Sequence, residues 1–253
     1  MASPAASMQE DPLVEVVNNA DGFKEVYRSI SAAFGRQTRD AIWVAANPNW
    51  DTAEGQAAGA ERMVQRWKAT TTDNKGNPNT IFLKATLPDP DQPGRRVVAG
   101  VAIWLQASAV EGYGDVPSEK PGEKLDLESL HPGNETEQRF VAQAVNALRK
   151  DRIAFIKGRA AAADPPSVMV LDSCTTDPAF QRRGVASKLV QWGLDEARRR
   201  GVPYALTEAS SMGRHVYQRL GFEPQGTDME YEMDEEFANR PLPPNLFMVW
   251  RAS

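Results

Sequence analysis

Helical periodicity is clear in five parts of the chain. Apolar residues recur there every three or four positions, and this spacing predicts amphipathic helices. The predicted helices cover residues 23–34, 53–68, 135–162, 185–200 and 212–220. Gly201 and Pro203 end the fourth helix, because both residue types are common just after a helix C-terminus.

Runs rich in β-branched and aromatic residues predict the strands. They lie at residues 80–86, 96–105, 168–176, 204–207, 229–233 and 245–251. The proline-rich and glycine-containing segment 88–94 predicts a hairpin-like connection between the first two strands. Gly100 inside the second strand indicates a β-bulge.

The organisation of the chain follows from where these elements lie. We expect a flexible tail over residues 1–12 and a single domain over residues 13–253. From about residue 107 to 166 a polar loop is followed by a helical pattern, with too few strongly apolar residues for a core of its own. We therefore interpret this stretch as a helical insertion that packs on the sheet.

Composition narrows the possible partners. The chain has 253 residues, of which 41% are hydrophobic and 25% charged, as is ordinary for a soluble globular protein. Its net charge of −5 argues against nucleic acid or an anionic membrane as a partner, because both require a basic face. No segment approaches the ~20 apolar residues of a membrane span. We expect a soluble, cytoplasmic protein.

Cysteine and histidine usage adds two further expectations. Cys174 is the only cysteine, so no intrachain disulfide forms, and a lone cysteine in a strand is usually a small core residue rather than a nucleophile. His131 and His215 are far apart in the sequence and lack the spacing of a metal site. We expect no bound metal.

The turn over residues 181–186, Gln-Arg-Arg-Gly-Val-Ala, carries the strongest chemical signal. It lies between a predicted strand and a predicted helix, and glycine at such a turn lets backbone amides approach a ligand closely. The first amides of the helix are unpaired and lie at the positive end of its dipole. The turn is therefore a candidate anion site, although an ordinary strand-turn-helix junction with a surface arginine pair would have the same sequence.

A second motif resolves this alternative, because the two together resemble the GNAT acyltransferase superfamily. Residues 177–186, Asp-Pro-Ala-Phe-Gln-Arg-Arg-Gly-Val-Ala, match the acyl-CoA pattern Gln/Arg-x-x-Gly-x-Gly/Ala with a proline upstream. Residues 217–222, Tyr-Gln-Arg-Leu-Gly-Phe, match the end of the helix that flanks the cofactor's thiol in that family. The close match covers residues 168–222. The lead-in 208–213, the insertion and the long hairpin are similar to GNAT-like proteins common in fungi.

The resemblance implies a fold and a co-substrate. The fold is an α/β (α+β) arrangement with a central, mostly antiparallel mixed sheet of about seven strands flanked by helices. The co-substrate is acetyl-CoA. By resemblance, its pyrophosphate is bound by the backbone of Gln181, Arg182, Arg183, Gly184, Val185 and Ala186, and its pantetheine arm by Cys174, Thr175 and Thr176. The amide of Thr175 or Cys174 is then a donor to the thioester carbonyl.

Tyr217 and Ser210 complete the predicted donor site. The family's matching tyrosine lies beside the CoA sulfur, so Tyr217 is the candidate acid, with helix packing as the alternative. A tyrosine of pKa about 10 is a weak donor to a thiolate of pKa near 8.5, so water would share the role. Ser210 stands where the family often has a cofactor-binding side chain, and it could equally cap the next helix.

The acceptor side is less well defined by the sequence. Asp172 is the candidate base, because it lies two residues before Cys174 and would share its sheet face. Glu208, on the next strand, is the second choice. The alternative is that Asp172 pairs with an arginine or binds a cationic acceptor. Trp50, Trp104 and Glu208 are candidate acceptor-binding residues, and Trp43 is a further candidate for the wall of that site. Core packing is the alternative for the tryptophans.

These residues predict CoA-dependent N-acyltransfer, and specifically acetyl transfer to a small-molecule amine by direct attack in a ternary complex. One alternative is a transferase of the same fold with another acyl donor or a hydroxyl acceptor. A second is a CoA-binding sensor or interaction protein without turnover. The sequence leaves the acceptor unnamed.

Overall fold

The computed structural model describes residues 10–252, and its centre is a seven-stranded sheet in the order β1-β2-β3-β4-β5-β7-β6. Neighbouring strands are antiparallel except for β4 and β5, which run parallel. The predicted mixed, mostly antiparallel sheet is confirmed. The strands are β1 (Leu13–Val16), β2 (Thr80–Pro88), β3 (Arg96–Ala107), β4 (Val168–Thr176), β5 (Tyr204–Ala209), β6 (Glu223–Asp228) and β7 (Leu246–Arg251).

Seven α-helices flank the sheet within residues 10–252. They are α1 (Gly22–Ile30), α2 (Ala41–Ala46), α3 (Ala53–Lys68), α4 (Leu127–Leu130), α5 (Glu135–Phe155), α6 (Val185–Arg200) and α7 (Arg214–Arg219). Two π-helical segments extend helices at their C-terminal ends, Ser31–Gln37 after α1 and Ile156–Ala160 after α5. None of the helices in this range is both long and apolar enough to cross a membrane.

Different helices pack on the two faces of the sheet. On one face, α6 packs its apolar stripe, including Leu189 and Leu194, on β2, β3 and β4. On the other face, α1 and α3 cover the N-terminal strands, while the π-helical end of α5 covers the middle of the sheet through Ile156 and Ala160. Successive side chains of a strand point to opposite faces, and the central strands β2, β3 and β4 are largely buried on both.

The region 107–166 contains α4 and α5. One part of α5 packs on α2 and Phe237, and its π-helical end packs on the sheet. Phe140, Val141 and Val145 of α5 form a cluster with Ile42 of α2 and Phe237. The π-helical turn after α5 then reaches the sheet. The predicted helix 135–162 is thus present as an α-helix followed by a π-helical turn. The division into one domain and an N-terminal tail stays a prediction, and residues 1–9 of that tail lie outside the described part of the chain.

One predicted strand is wrong. Residues 229–233 alternate apolar and acidic side chains, but the last strand before β7 is β6, immediately upstream of them. Tyr231 and Met233 pack instead in the cluster of α5 and α2. All six residues of β6 are exposed at the sheet edge, so no apolar pattern marks this strand in the sequence. The exposed edge strand β1 and the short helix α2 also lie outside the predicted elements.

Two β-bulges shape the centre of the sheet. In β3 the extra residue is Ala99, next to Gly100, where the sequence predicts a bulge. In β4 the extra residue is Asp172, because Leu171 pairs with Trp104 and Ser173 with Ile103. A bulge interrupts the alternation of side chains and re-aims those around it. The second bulge therefore decides where the side chains of the candidate site point.

Candidate active site

The strands β4 and β5 separate soon after they begin. Backbone pairing between them is limited to Met169 with Ala205 and Val170 with Leu206. Further along, residues 173–176 of β4 remain paired with β3 on one side, but in the described part of the chain they have no strand partner on the side of β5. Separation of two parallel neighbours opens the sheet, and the backbone of β4 is left available to a ligand.

A cleft of about 650 Å³ lies at this opening, and we call it the β4–α6 cleft. Its lining brings together the C-terminal end of β4, the turn before α6 and the start of α7. The lining residues include Cys174, Thr175, Thr176, Gln181, Arg182, Gly184, Val185, Ala186, Ser210 and Tyr217. All the predicted donor-site residues except Arg183 therefore line one cleft.

Arg183 has a different environment. Its guanidinium lies over the ring of Phe180, 5.8 Å from the centroid, and its side chain does not line the β4–α6 cleft. The prediction for this residue concerned its backbone amide, which lies in the same turn. Of the two arginine side chains expected in the cleft as cations, only that of Arg182 lines it.

The turn before α6 has the backbone geometry that the sequence predicts. Arg182 and Gly184 both have positive φ, at 64° and 77°. Gly184 is the N-cap of α6 and no side chain caps this end, so the first amides of the helix point at the cleft without an internal partner. An uncapped N-terminus of a helix of 16 residues is an anion site by its unpaired donors and its dipole.

Two hydroxyl groups add polar contacts to the cleft. The Thr175 hydroxyl is buried and has no hydrogen-bond partner among the described residues, so it is available to a ligand in the cleft it lines. The Ser210 hydroxyl accepts the Gly213 amide at 3.3 Å in the turn before α7, and it lines the cleft. No side chain caps α7, whose N-cap is Gly213.

A second cavity of about 390 Å³ meets the first, and we call it the arginine-lined cavity. Phe34, Cys174, Ser210 and Tyr217 line both, so they mark the junction. The aromatic wall of the second cavity consists of Tyr27, Phe34 and Trp43, and its charged wall consists of Asp40, Arg62, Arg66, Arg149, Arg152, Asp172 and Glu208.

Tyr217 and Cys174 are in contact at the junction. The Tyr217 hydroxyl lies beside the thiol of Cys174. Burial raises the pKa of the Cys174 thiol to about 12, and burial together with the neighbouring Cys174 raises the pKa of Tyr217 well above 10. Both groups are therefore protonated near neutral pH. Cys174 is no nucleophile in this state, and Tyr217 is a hydrogen-bond donor that releases its proton reluctantly.

Asp172 does not share the face of Cys174, because the bulge at Asp172 breaks the alternation on which that expectation relied. Its carboxylate accepts hydrogen bonds from Arg66 and Arg152, both at 2.8 Å, and lies 3.5 Å from Arg149. Burial alone would raise the pKa of Asp172, but the three guanidinium groups hold it well below its usual range. The arginine-paired alternative is thus what the structure shows, and a carboxylate so stabilised is a poor base.

Arg152 links the two separating strands. Its guanidinium donates to Asp172 of β4 at 2.8 Å and to both carboxylate oxygens of Glu208 of β5, one of them at 2.9 Å. The side chain of Arg152 is only 8% exposed, which makes these pairs buried. Glu208 lines the arginine-lined cavity, and its carboxylate is occupied by Arg152.

Of the three tryptophans predicted as wall residues, Trp104 and Trp50 do not line the arginine-lined cavity. Trp104 is fully buried on the α6 face, where its ring fills the space over Gly193 and its indole nitrogen donates to the Leu189 carbonyl at 3.4 Å. Trp50 packs edge-on against Trp43, with ring centroids 6.0 Å apart, and it is Trp43 that lines the cavity. The side chain of Trp104 points to the face of the sheet opposite the cavity. Trp50 lies behind Trp43, which separates it from the cavity.

Asp40 is a cavity residue that the sequence reasoning missed. It caps α2 by accepting the Trp43 amide at 2.9 Å, has no arginine or lysine partner among residues 10–252, and burial raises its pKa. The available signal was an aspartate directly before a short apolar helix. The arginines of α3 and α5 were also missed, because a helical pattern indicates which residues face the core but not which long polar side chains bend toward a cavity.

The comparison with protein families gives one match. Residues 105–222 match the acetyltransferase (GNAT) family, a stretch that runs from β3 through α7 and includes both motifs. Over this stretch the chain is similar to acetyltransferases, and its fold is the GNAT fold. No curated protein sequence matches it. The predicted enzyme class is confirmed, while the fungal subtype stays a prediction.

Solved structures with the GNAT fold resemble the chain over nearly its whole length. Arylalkylamine N-acetyltransferase 2 from Aedes aegypti has a TM-score of 0.60 at 18% identity, covering 96% of this chain and 100% of its own. A polyamine N-acetyltransferase from Drosophila melanogaster that forms N-acetylagmatine has 0.59 at 14%, with coverage of 96% and 100%. A Corynebacterium glutamicum protein described as histone acetyltransferase HPA2 and related acetyltransferase has 0.52 at 19%, with 96% and 98%. At these identities the likeness concerns the fold.

We predict that Arg152 is needed to hold β4 and β5 in place. Arg152→Gln leaves Glu208 buried without its cation and should lower the free energy of unfolding by about 3 kcal/mol, as expected for breaking a buried ion pair. Urea denaturation followed by circular dichroism measures this change.

Arg139→Gln is the matched control, since Arg139 lies on the same helix and pairs with Glu236 but is 49% exposed. Loss of an exposed pair should cost no more than about 1 kcal/mol. Equal costs for the two variants would contradict a structural role for Arg152.

Proposed function

We propose that this enzyme transfers the acetyl group of acetyl-CoA to the primary amine of a small molecule, by direct attack while both are bound. The observation that carries the proposal is the meeting of the β4–α6 cleft with the arginine-lined cavity at Tyr217 and Cys174. One compartment ends in the uncapped start of α6 and the other has an aromatic wall. A donor and an acceptor can therefore occupy separate compartments and react where they join.

The residues of the β4–α6 cleft fit acetyl-CoA. The unpaired amides at the start of α6 would bind its pyrophosphate, and Arg182 adds a cation beside them. The open backbone of residues 174–176 would hydrogen-bond the pantetheine arm as a strand would, next to the unpartnered hydroxyl of Thr175. When bound, acetyl-CoA supplies the acyl group as an activated thioester.

Tyr217 is proposed as the hydrogen-bond donor to the leaving sulfur. Its hydroxyl lies beside the Cys174 thiol at the junction of the two cavities, and its raised pKa keeps it protonated. A raised pKa also makes full proton transfer less favourable, so the role of Tyr217 is to stabilise the developing charge while water supplies the proton. The amide of Thr175 or Cys174 would stabilise the oxyanion.

Asp40 replaces Asp172 as the proposed base. It lines the arginine-lined cavity together with Tyr217, and no arginine neutralises its carboxylate within the described residues. Its raised pKa brings it closer to the range in which a carboxylate can accept a proton from an amine, directly or through a water. Asp172, held by three arginines, has a structural role in this assignment.

The proposed small amine agrees with the activities stated for two structures of the same fold. These are the arylalkylamine N-acetyltransferase and the enzyme that forms N-acetylagmatine. A different acyl donor, a hydroxyl acceptor, and CoA binding without turnover remain the competing functions, and the following experiments separate them.

Acetyl-CoA should raise the melting temperature of the protein, because a ligand that binds only the native state stabilises it. Addition of a panel of primary amines should then release free CoA thiol, measured with a thiol-reactive chromophore. Stabilisation without thiol release would favour the sensor. A larger shift and faster release with a longer acyl-CoA would favour another donor, and release only with alcohols would favour a hydroxyl acceptor.

Tyr217→Phe should lower kcat by at least about tenfold while leaving the affinity for acetyl-CoA nearly unchanged, since one hydrogen bond to developing charge is removed. Steady-state kinetics and calorimetric binding give the two quantities. Val216→Ala, which changes a neighbouring residue that lines only the β4–α6 cleft, is the control for altered helix packing. Unchanged kcat in Tyr217→Phe would remove this residue from the mechanism.

Asp40→Asn should lower kcat by about a hundredfold and abolish the acidic limb of the pH profile, because asparagine still caps α2 but accepts no proton. Asp172→Asn is the comparison: it should mainly reduce stability, since the arginines lose their counter-ion. If Asp172→Asn removes the acidic limb and Asp40→Asn keeps it, the two assignments are reversed.

A further inference from the structure

The arginine-lined cavity has more arginines than carboxylates to pair with them. Four arginines line it, against the three carboxylates of Asp40, Asp172 and Glu208. Two of these carboxylates are engaged by Arg152, which donates to both, and Asp172 also accepts from Arg66 at 2.8 Å. Two arginines, Arg149 and Arg62, are left without a carboxylate that binds them by hydrogen bonds.

Arg149 has unused donors. Its nearest carboxylate oxygen is Oδ1 of Asp172 at 3.5 Å, and that oxygen already accepts from Arg152 at 2.8 Å. Within residues 10–252, Arg149 donates no hydrogen bond that meets normal geometry, although a guanidinium carries five N–H donors. Its side chain is 33% exposed and lines the cavity. Unsatisfied donors on a fixed, half-buried arginine are a ready site for a planar anion.

Arg62 contacts neutral groups. It donates to the side-chain oxygen of Asn47 at 3.2 Å and lies against the Tyr27 hydroxyl, and no carboxylate pairs with it in the described part of the chain. Neither Arg62 nor Arg149 lines the β4–α6 cleft, which places both away from the junction at Tyr217. Asp40 also lines a small pocket with Ser210 and Met212, so the unpaired carboxylate lies on the Ser210 side of the cavity.

We propose that the acceptor carries a carboxylate in addition to its amine, and that Arg149, assisted by Arg62, binds this carboxylate. This inference rests on the proposed function and names the acceptor class: an amino acid or similar amino carboxylate with an apolar or aromatic body. The planar fork of an arginine matches a carboxylate in two hydrogen bonds, and the wall of Tyr27, Phe34 and Trp43 suits the apolar body. Agmatine, which carries two positive charges, would be repelled by the same arginines.

Matched acceptors test the carboxylate directly. Tyrosine has a carboxylate that tyrosinamide and tyramine lack, and all three keep the same ring. Tryptophan and tryptamine form a second such pair, and arginine and agmatine form a third with the same guanidino arm. With acetyl-CoA saturating, kcat/KM expressed per neutral amine should be at least about tenfold higher for the carboxylate in each set, as expected for charge-assisted hydrogen bonds to one anion. Higher kcat/KM for tyramine or tyrosinamide than for tyrosine would overturn the proposal.

Arg149→Gln should remove this preference. The variant should lose at least about tenfold in kcat/KM for tyrosine while retaining the value for tyramine and the KM for acetyl-CoA. Lys150→Gln is the matched control. Lys150 is the next residue of α5, is 60% exposed and pairs with Glu232. Its substitution therefore removes the same charge without altering the lining of the cavity. A carboxylate preference that survives in Arg149→Gln, or is lost equally in Lys150→Gln, would overturn the role of Arg149.

Product binding distinguishes failure of this inference from failure of the proposed function. N-acetyltyrosine and N-acetyltyramine need no turnover, and calorimetry should show tighter binding of N-acetyltyrosine to the wild-type protein but not to Arg149→Gln. Absence of thiol release with every amine would overturn the acetyltransfer reaction, whereas equal or weaker binding of N-acetyltyrosine would overturn the carboxylate site.

Discussion

The site depends on one ion-pair arrangement, in which Arg152 joins Asp172 of β4 to Glu208 of β5. The two strands share only two backbone-paired positions before they separate. Beyond that point no ladder of hydrogen bonds holds their distance, and a buried guanidinium with two carboxylates takes its place. Burying these charges is costly unless each is paired, so the arrangement fixes the geometry more than it adds stability.

The separation of the strands explains why two compartments meet. Backbone groups of β4 that would otherwise pair with β5 are free to face the β4–α6 cleft, and the junction residues Cys174 and Tyr217 lie where the sheet opens. The bulge at Asp172 directs that carboxylate to the arginines of α3 and α5, while Cys174 turns to α7. One irregular residue thereby turns the Asp172 carboxylate away from the face on which Cys174 lies.

From the sequence, the residues of the β4–α6 cleft could be grouped well and those of the arginine-lined cavity poorly, for a physical reason. A strand, a glycine turn and a helix N-terminus form a local unit, so residues 174–186 could be placed from their own sequence, with the side chain of Arg183 as the exception. The acceptor side is built from long side chains of α3 and α5 that converge over large sequence separations. Asp172 was misplaced because a bulge interrupts β4, and Trp104 because its side chain points to the opposite face of the sheet. Strand β6 was missed because it is an edge strand without an apolar pattern.

The helix α5 shows how structure and specificity are combined on the acceptor side. Arg149 and Arg152 are three residues apart and therefore point to the same side of the helix. Arg152 uses its donors on the sheet, and its hold on Asp172 leaves only a long contact of 3.5 Å for Arg149. Competition for one carboxylate thus keeps the donors of Arg149 available. The same ion pair that holds the strands apart prepares the neighbouring arginine to bind an anion from outside the chain.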